Sequence, residues 1–274
     1  GDEGILAWEG EDAYYLFLPS YADMNDVCLT SYASSFDVLS TGERIGKKDS
    51  LSAISVNERY TCKSIVTNDE FVFCVMKSEN LPTMFMETDS GTVEHIWADK
   101  TVEENGKMRL FSSDGEFLYG GGLNGVKARG NYSFAHYDKK PFSLTFKEEV
   151  SLLGLGTGQK YVLLSNASDP TLVRNDIARR LEEALEAEYN NVGRFVDLYA
   201  NGDYMGIYYL CESIDIGYDR IDVSNLEAQM DLIYGKSNYE SFEDYETDSS
   251  HAKKLDEGLV DITGGYLLER EFED

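Results

Sequence analysis

The chain has 274 residues, 42% of them hydrophobic, with 51 acidic side chains against 24 Lys and Arg and a formal net charge of −27. That apolar content suffices for a folded core, and the acidity excludes nucleic acid and anionic membrane surfaces as partners, because every phosphate contact would work against a repulsive field. No apolar run approaches the roughly 20 residues of a membrane-crossing helix, so no membrane span is expected.

The chain opens on Gly1 rather than Met, from which an amino terminus either processed, as by removal of a signal peptide, or left over from expression is expected. From there to about residue 80, short β-like runs at 14–18, 26–32, 51–56, 60–66 and 71–76 alternate with Gly, Asn, Asp and Ser turns. This spacing predicts a small all-β, sandwich-like domain over 1–80. Cys62 and Cys74 flank the apparent hairpin of the last two runs, which leaves two readings: a disulfide, or buried thiols acting as small apolar side chains. The four cysteines show no CxxC or Cys/His ligand spacing, so a structural zinc site is not expected.

Leu81-Pro82 opens a second region, 81–274, with strands predicted at 83–87, at 92–97 after the Asp89-Ser90-Gly91 turn, and at 107–111 before Asp114-Gly115. Runs 143–146 and 161–165 read as further strands, joined by a loop holding Gly154, Gly156 and Gly158. That loop lacks a P-loop ending and leads into a strand, not a helix, so it reads as a flexible connection. Asp169-Pro170 supplies an N-cap and a first-turn proline, and Val173, Ile177, Leu181, Ala184 and Leu185 recur at helical spacing. Runs 195–200 and 203–212 flank Asn201-Gly202, whose residues both tolerate positive φ and so form a strong hairpin signal. Residues 236–257 are polar and aperiodic and read as a solvated loop, and Thr263-Gly264-Gly265 leads into a short apolar strand at 266–268.

Charge is unevenly spread along this sequence. Residues 127–180 hold nine of the 24 cations and five acids, a local balance of +4 that leaves −31 for the rest. An anionic ligand would be drawn to this island. Within it, Lys127 and Arg129 share a face if their segment is a strand, with Gly130 allowing close approach and Asn131 able to donate and accept; they are either a phosphate clamp or strand-end cations paired with acids. Lys139 and Lys140 precede a strand and are either phosphate-neutralising or edge-protecting charges. Arg174-Asn175 near the helix start could hold a phosphate or carboxylate, or Arg174 could pair with Glu212. An ion pair between Glu212 and an Arg or Lys is the favoured expectation, because a buried carboxylate is costly alone. The three histidines stand apart, and GxSxG and HExxH are absent, so hydrolase and zinc-protease chemistry has no support.

In chain order, Lys127-Ala128-Arg129-Gly130-Asn131, Lys139-Lys140-Pro141-Phe142, Tyr161-Val162-Leu163-Leu164, Arg174-Asn175, the Asn201-Gly202-Asp203-Tyr204-Met205-Gly206 hairpin with Glu212, and Gly264-Gly265-Tyr266-Leu267-Leu268-Glu269 resemble the motifs of the spore coat protein H (CotH) kinase family. The resemblance covers slightly more than half of the chain. It implies an α+β fold: an atypical protein kinase-like domain, a mixed sheet with helices, following the sandwich-like β-domain. It also implies ATP and Mg2+ as cofactors and phosphoryl transfer to Ser or Thr of a protein substrate, in an extracellular or cell-surface protein of a Gram-positive bacterium.

On this resemblance Lys127, Arg129, Asn131, Lys139, Lys140, Arg174 and Asn175 form the nucleotide- and phosphate-binding set, with Glu212 orienting. The family follows its Gly-Gly-Tyr strand with an Asp-containing catalytic segment and a Trp-Asp-Phe-Asp-type metal motif, and this chain ends at Asp274 before either. Tyr132 also stands where the family commonly has a small hydroxyl residue. The expectation is therefore a kinase-like domain incomplete at its C-terminus, without catalytic or metal residues of its own and inactive alone. The alternative is a non-catalytic surface, adhesion or glycan-recognition protein built on the same fold.

Overall fold

A computed structural model describes residues 4–187 and 189–216, together with 220, 221 and 223. The described residues up to Ser213 belong to one compact unit, and Ile214 onward to a second. The expected loop at 236–257 and strand at 266–268 lie outside the described residues.

Six strands, β1 (Trp8–Glu9), β2 (Tyr14–Leu18), β3 (Phe36–Val38), β4 (Glu43–Ile45), β5 (Arg59–Ser64) and β6 (Glu70–Lys77), form one sheet in the order β1-β2-β6-β5-β3-β4. β2 runs parallel to β6 and the other neighbours are antiparallel. The region expected to be sandwich-like thus contributes a single mixed sheet. Its inward face carries Leu16, Leu18, Phe36, Val38, Cys62, Phe73 and Val75, and the covering layer is loop, with Leu51 and Ile54 buried against it. Two expected strands, 26–32 and 51–56, supply only isolated bridges, Cys28 to Ser50 and Val56 to Val75. Cys62 lies opposite Phe71 and Cys74 opposite Arg59, so the two thiols are not facing partners, and both are free.

Seven further strands, β7 (Thr83–Thr88), β8 (Glu104–Phe111), β9 (Phe117–Ala128), β10 (Phe142–Val150), β11 (Gly158–Leu164), β12 (Gly193–Ala200) and β13 (Asp203–Glu212), close into a barrel in the order β10-β11-β13-β12-β7-β8-β9. Every ladder is antiparallel except β12–β7, which is parallel and joins Asp197–Ala200 to Thr83–Met86. Interior side chains follow the two-residue period of strands: Met84 and Met86, Met108 and Leu110, Phe142, Leu144 and Phe146, Tyr161 and Leu163, Val196 and Leu198, Tyr208 and Leu210. All are buried and fill the barrel. Leu152 and Leu155, from the loop between β10 and β11, join the same core.

Three short helices decorate the barrel: α1 (Glu94–Ala98), α2 (Tyr132–His136) and α3 (Arg174–Ala184). α1 replaces the strand expected at 92–97. Its start is set by the preceding turn, where Gly91 has φ of 75°, Thr92 accepts the Glu94 N–H on its hydroxyl, and Ile96 then packs into the core. α3 begins later than the Asp169-Pro170 signal indicates because Leu172 sits at φ of 62°, which interrupts the helical run. Asp169 still serves the helix end, since its carboxylate accepts the Thr171 N–H and hydroxyl and the Arg174 N–H.

The barrel meets the six-stranded sheet along an aromatic seam. Phe85 stacks on Tyr199 at 4.9 Å between centroids, Phe17 stacks on Tyr204 at 4.7 Å, and the Tyr199 hydroxyl donates to the Phe17 carbonyl at 3.0 Å. Tyr199 is only 1% exposed, so truncation leaves a void with little room to collapse. Tyr199→Ala is expected to cost about 3–5 kcal/mol in urea unfolding, and Tyr199→Phe, which loses one hydrogen bond, about 1 kcal/mol.

Candidate functional site

Within the basic island, Lys127 and Arg129 lie at the end of β9, Lys139 and Lys140 just before β10, Lys147 and Lys160 along β10 and β11, and three arginines on α3. Ala128 at the end of β9 faces inward with the core, so Lys127 and Arg129 on either side of it face out. Ladder register extends Lys127 sideways to Ser143, Val162 and Cys211 on β10, β11 and β13. Lys127 lies 3.6 Å from the Glu103 carboxylate, a long contact. The Arg129 backbone N–H donates to the Pro141 carbonyl at 3.1 Å, tying the end of β9 to the start of β10. Its guanidinium forms no ion pair among the described residues, and its charge acts on the Cys211 thiol.

Sequence reasoning missed Arg179, on the underside of α3. Its Nη2 donates to Cys211 Sγ at 3.6 Å, and the guanidinium lies 5.8 Å from the Tyr209 ring centroid. Burial pushes the Cys211 thiol up to about 11, against the pull of Arg179 and Arg129, so it stays neutral at physiological pH. Tyr209 donates its hydroxyl to Asp176 at 3.2 Å, and Asp176 also accepts from Arg180 at 2.7 Å, which leaves Arg179 without a carboxylate. The signal for Arg179 lay in the helical period, which sets it on the face opposite Ile177 and Leu181.

Lys139 and Lys140 sit where β10 begins, next to the barrel mouth. Lys139 Nζ donates to the Ile207 carbonyl at 2.5 Å and lies 4.5 Å from the centroid of the buried Tyr208 ring. Lys140 Nζ donates to the Phe134 carbonyl at 2.5 Å, while its own carbonyl accepts the Tyr208 hydroxyl at 2.9 Å. Neither lysine meets a carboxylate among the described residues. Burial lowers Lys139 from the ordinary 10.5 to about 8, because a carbonyl dipole and an aromatic face replace only part of the lost hydration.

The remaining expected site residues lie elsewhere. Arg174 opens α3, largely exposed, with Nε 3.7 Å from the Asp169 carboxylate. Asn175 donates to Asn166 at 2.6 Å, and Asn131, in the loop before α2, accepts from Lys100 at 2.7 Å. Glu212, next to Cys211 on β13 and opposite Tyr161 on β11, is buried, and the ion pair expected for it does not form among the described residues. Its carboxylate instead accepts the Gly156 N–H, while the Tyr161 hydroxyl donates to the carbonyls of Val150 and Gly156 at 2.7 and 2.6 Å. The glycine loop read as a flexible connection is therefore pinned at both faces and plugs the barrel with Leu152 and Leu155.

Among the described residues no group of three or more His, Cys, Asp or Glu is placed to hold a metal ion. A cavity of about 390 Å³ lies away from the basic cluster, lined by Glu87, Thr88, Arg109 and Asn201 among others. Its arginine is paired with Glu87 at 2.9 Å, so it offers an anion no free charge.

Lys139 carries a pH signature with a definite sign. Its folded value lies below its unfolded value, so the unfolded chain binds more protons between about pH 8 and 10.5 and stability from this group rises across that window. Denaturant unfolding as a function of pH is expected to show this rise in the parent chain and a flatter profile in Lys139→Met.

Residues 126–262, half of the chain, match the protein-family model described as CotH kinase protein. No curated protein matches the chain.

Proposed function

Since this chain belongs to the CotH kinase protein family, we propose that it presents a nucleotide-phosphate-binding surface of a kinase-like domain, built around Arg129, Arg179, Lys139 and Lys140. The reaction served is phosphoryl transfer from ATP to Ser or Thr of a protein substrate, outside the cell or at its surface. One observation carries this reading: Arg129 after β9, Lys139 and Lys140 before β10, and Arg179 on α3 have no carboxylate partner among the described residues, in a chain where acids outnumber bases 51 to 24. By contrast Lys107 and Arg109 share Glu87 and Arg180 on α3 takes Asp176, while Arg194 on β12 donates only to the Gly193 carbonyl among the described residues. Leaving part-buried cations uncompensated costs stability, and an anionic ligand would relieve that cost.

The chemistry asks for this kind of group. Phosphoryl transfer needs positioning and neutralisation of charge spread over phosphate oxygens, and planar guanidinium forks suit that geometry. Arg129 and Arg179, rooted on different elements, would grip phosphate oxygens from two sides above the buried Cys211 and Tyr209. Lys139 would add charge at the mouth below about pH 8 and lose it above. Magnesium belongs to the activity that the family resemblance implies, but the described residues offer no cluster fit to hold it, so no step is assigned to a metal here.

Calorimetric titration of ATP into the chain tests the reading. Binding is expected with micromolar or weaker affinity, and removing both guanidiniums in Arg129→Ala/Arg179→Ala should weaken it by about 100-fold, as expected for two charge-assisted contacts. Affinity should fall as pH rises through about 8 in the parent chain and stay level in Lys139→Met. No binding, or binding indifferent to the double substitution, contradicts the proposal.

A further inference from the structure

α3 is mounted with its apolar stripe facing away from the barrel. Ile177, Leu181 and Leu185 are 58%, 57% and 71% exposed, and Val173 ahead of them is exposed too. None of the helix residues is buried. What holds the helix to the barrel is polar: Asp176 accepts from Tyr209, and Arg179 donates to Cys211. A surface helix ordinarily turns its apolar stripe inward, and an exposed row of large aliphatic side chains at i, i+4, i+8 spacing marks a surface for a partner.

The charges beside the stripe select the partner. Arg174 and Arg180 are exposed before Leu181, Arg180 also holding Asp176 of its own helix at 2.7 Å, and after Leu181 come the exposed Glu182, Glu183 and, two residues past the helix end, Glu186. A partner of one sign would be attracted by one half and repelled by the other. A second copy of the same helix, lying antiparallel, sets basic half against acidic half at both ends. We infer that the α3 stripe is a self-association surface through which two copies of this chain pair about a two-fold axis.

Symmetry fixes the contacts once Leu181 is placed on the axis. Ile177, four residues before it, meets Leu185 of the second copy, four residues after. Arg180 falls beside Glu182 of the second copy, and each contact occurs twice, as an isologous interface requires. The i±4 ridge made by Val173, Ile177, Leu181 and Leu185 is of the kind that interdigitates with its own copy. A single helix per protomer is a small interface, and the surrounding negative surface opposes approach, so the dimer is expected to be weak and reversible.

Sedimentation equilibrium of the full chain across the micromolar range tests this. The expected result is a monomer–dimer equilibrium that Leu181→Glu abolishes while leaving the circular dichroism spectrum unchanged, because that side chain is exposed. Arg180→Glu and Glu182→Arg should each raise the dissociation constant about tenfold, and the two together should restore it to within about threefold of the parent. A chain that stays monomeric throughout overturns the inference, as does a dimer indifferent to Leu181→Glu, or a double variant no tighter than either single one.

Discussion

The parallel ladder between β12 and β7 is the constraint on which the barrel depends. Without the pairing of Asp197–Ala200 with Thr83–Met86, the seven strands would be an open sheet with two unpaired edges. Closure forces alternate residues of every strand inward, so Met84, Met108, Leu144, Tyr161, Leu198 and Leu210 share one core although they come from positions more than a hundred residues apart. The same closure decides what faces out. Lys127 and Arg129 are on the outer surface because Val126 and Ala128 are in the core.

A filled barrel has no interior left for a ligand, so function must lie on its outside or at its ends. One end is occupied by the glycine loop, held by Glu212 and Tyr161. Near the other, Lys139 and Lys140 turn their ammonium groups onto carbonyl oxygens and aromatic faces. α3 lies along the outside and brings Arg179 to the strand that carries Cys211. The barrel therefore separates structural polar groups, which satisfy one another, from cations that do not find an acid. The polar underside of α3 follows from the same arrangement: the helix is attached through Asp176 and Arg179, which leaves its apolar residues on the far face.

Much of this was legible where the determinants are local. β2 falls at 14–18 and β13 at 203–212 as their patterns indicate, and Asn201 and Gly202 adopt the positive φ values that the turn requires, 52° and 93°. β9 escaped notice because Gly120, Gly121, Gly122 and Gly125 interrupt its apolar pattern. The strand expected at 92–97 rests on the Asp89-Ser90-Gly91 turn, whereas Val93, Ile96 and Trp97 recur at the i, i+3, i+4 spacing of the helical turn that forms there. The late start of α3 rests on one residue, Leu172, whose left-handed conformation no pattern announces. Barrel closure and the Glu212–Gly156 contact span dozens of residues, and no window along the chain contains both partners. The charge island led to Lys127, Arg129, Lys139 and Lys140 as a group, whereas Arg179 emerged only when the helix was seen against β13.

The central claim is that these cations are held without compensation until an anion arrives, and Lys139 reports on it most directly. Its side-chain titration can be followed by carbon-13 NMR at Cε, with and without saturating ATP. The expected result is a midpoint near 8 in the free chain that moves upward when nucleotide binds, because a phosphate stabilises the protonated amine. A midpoint at the ordinary 10.5, unmoved by ATP, would contradict both the burial of this cation and the site built around it.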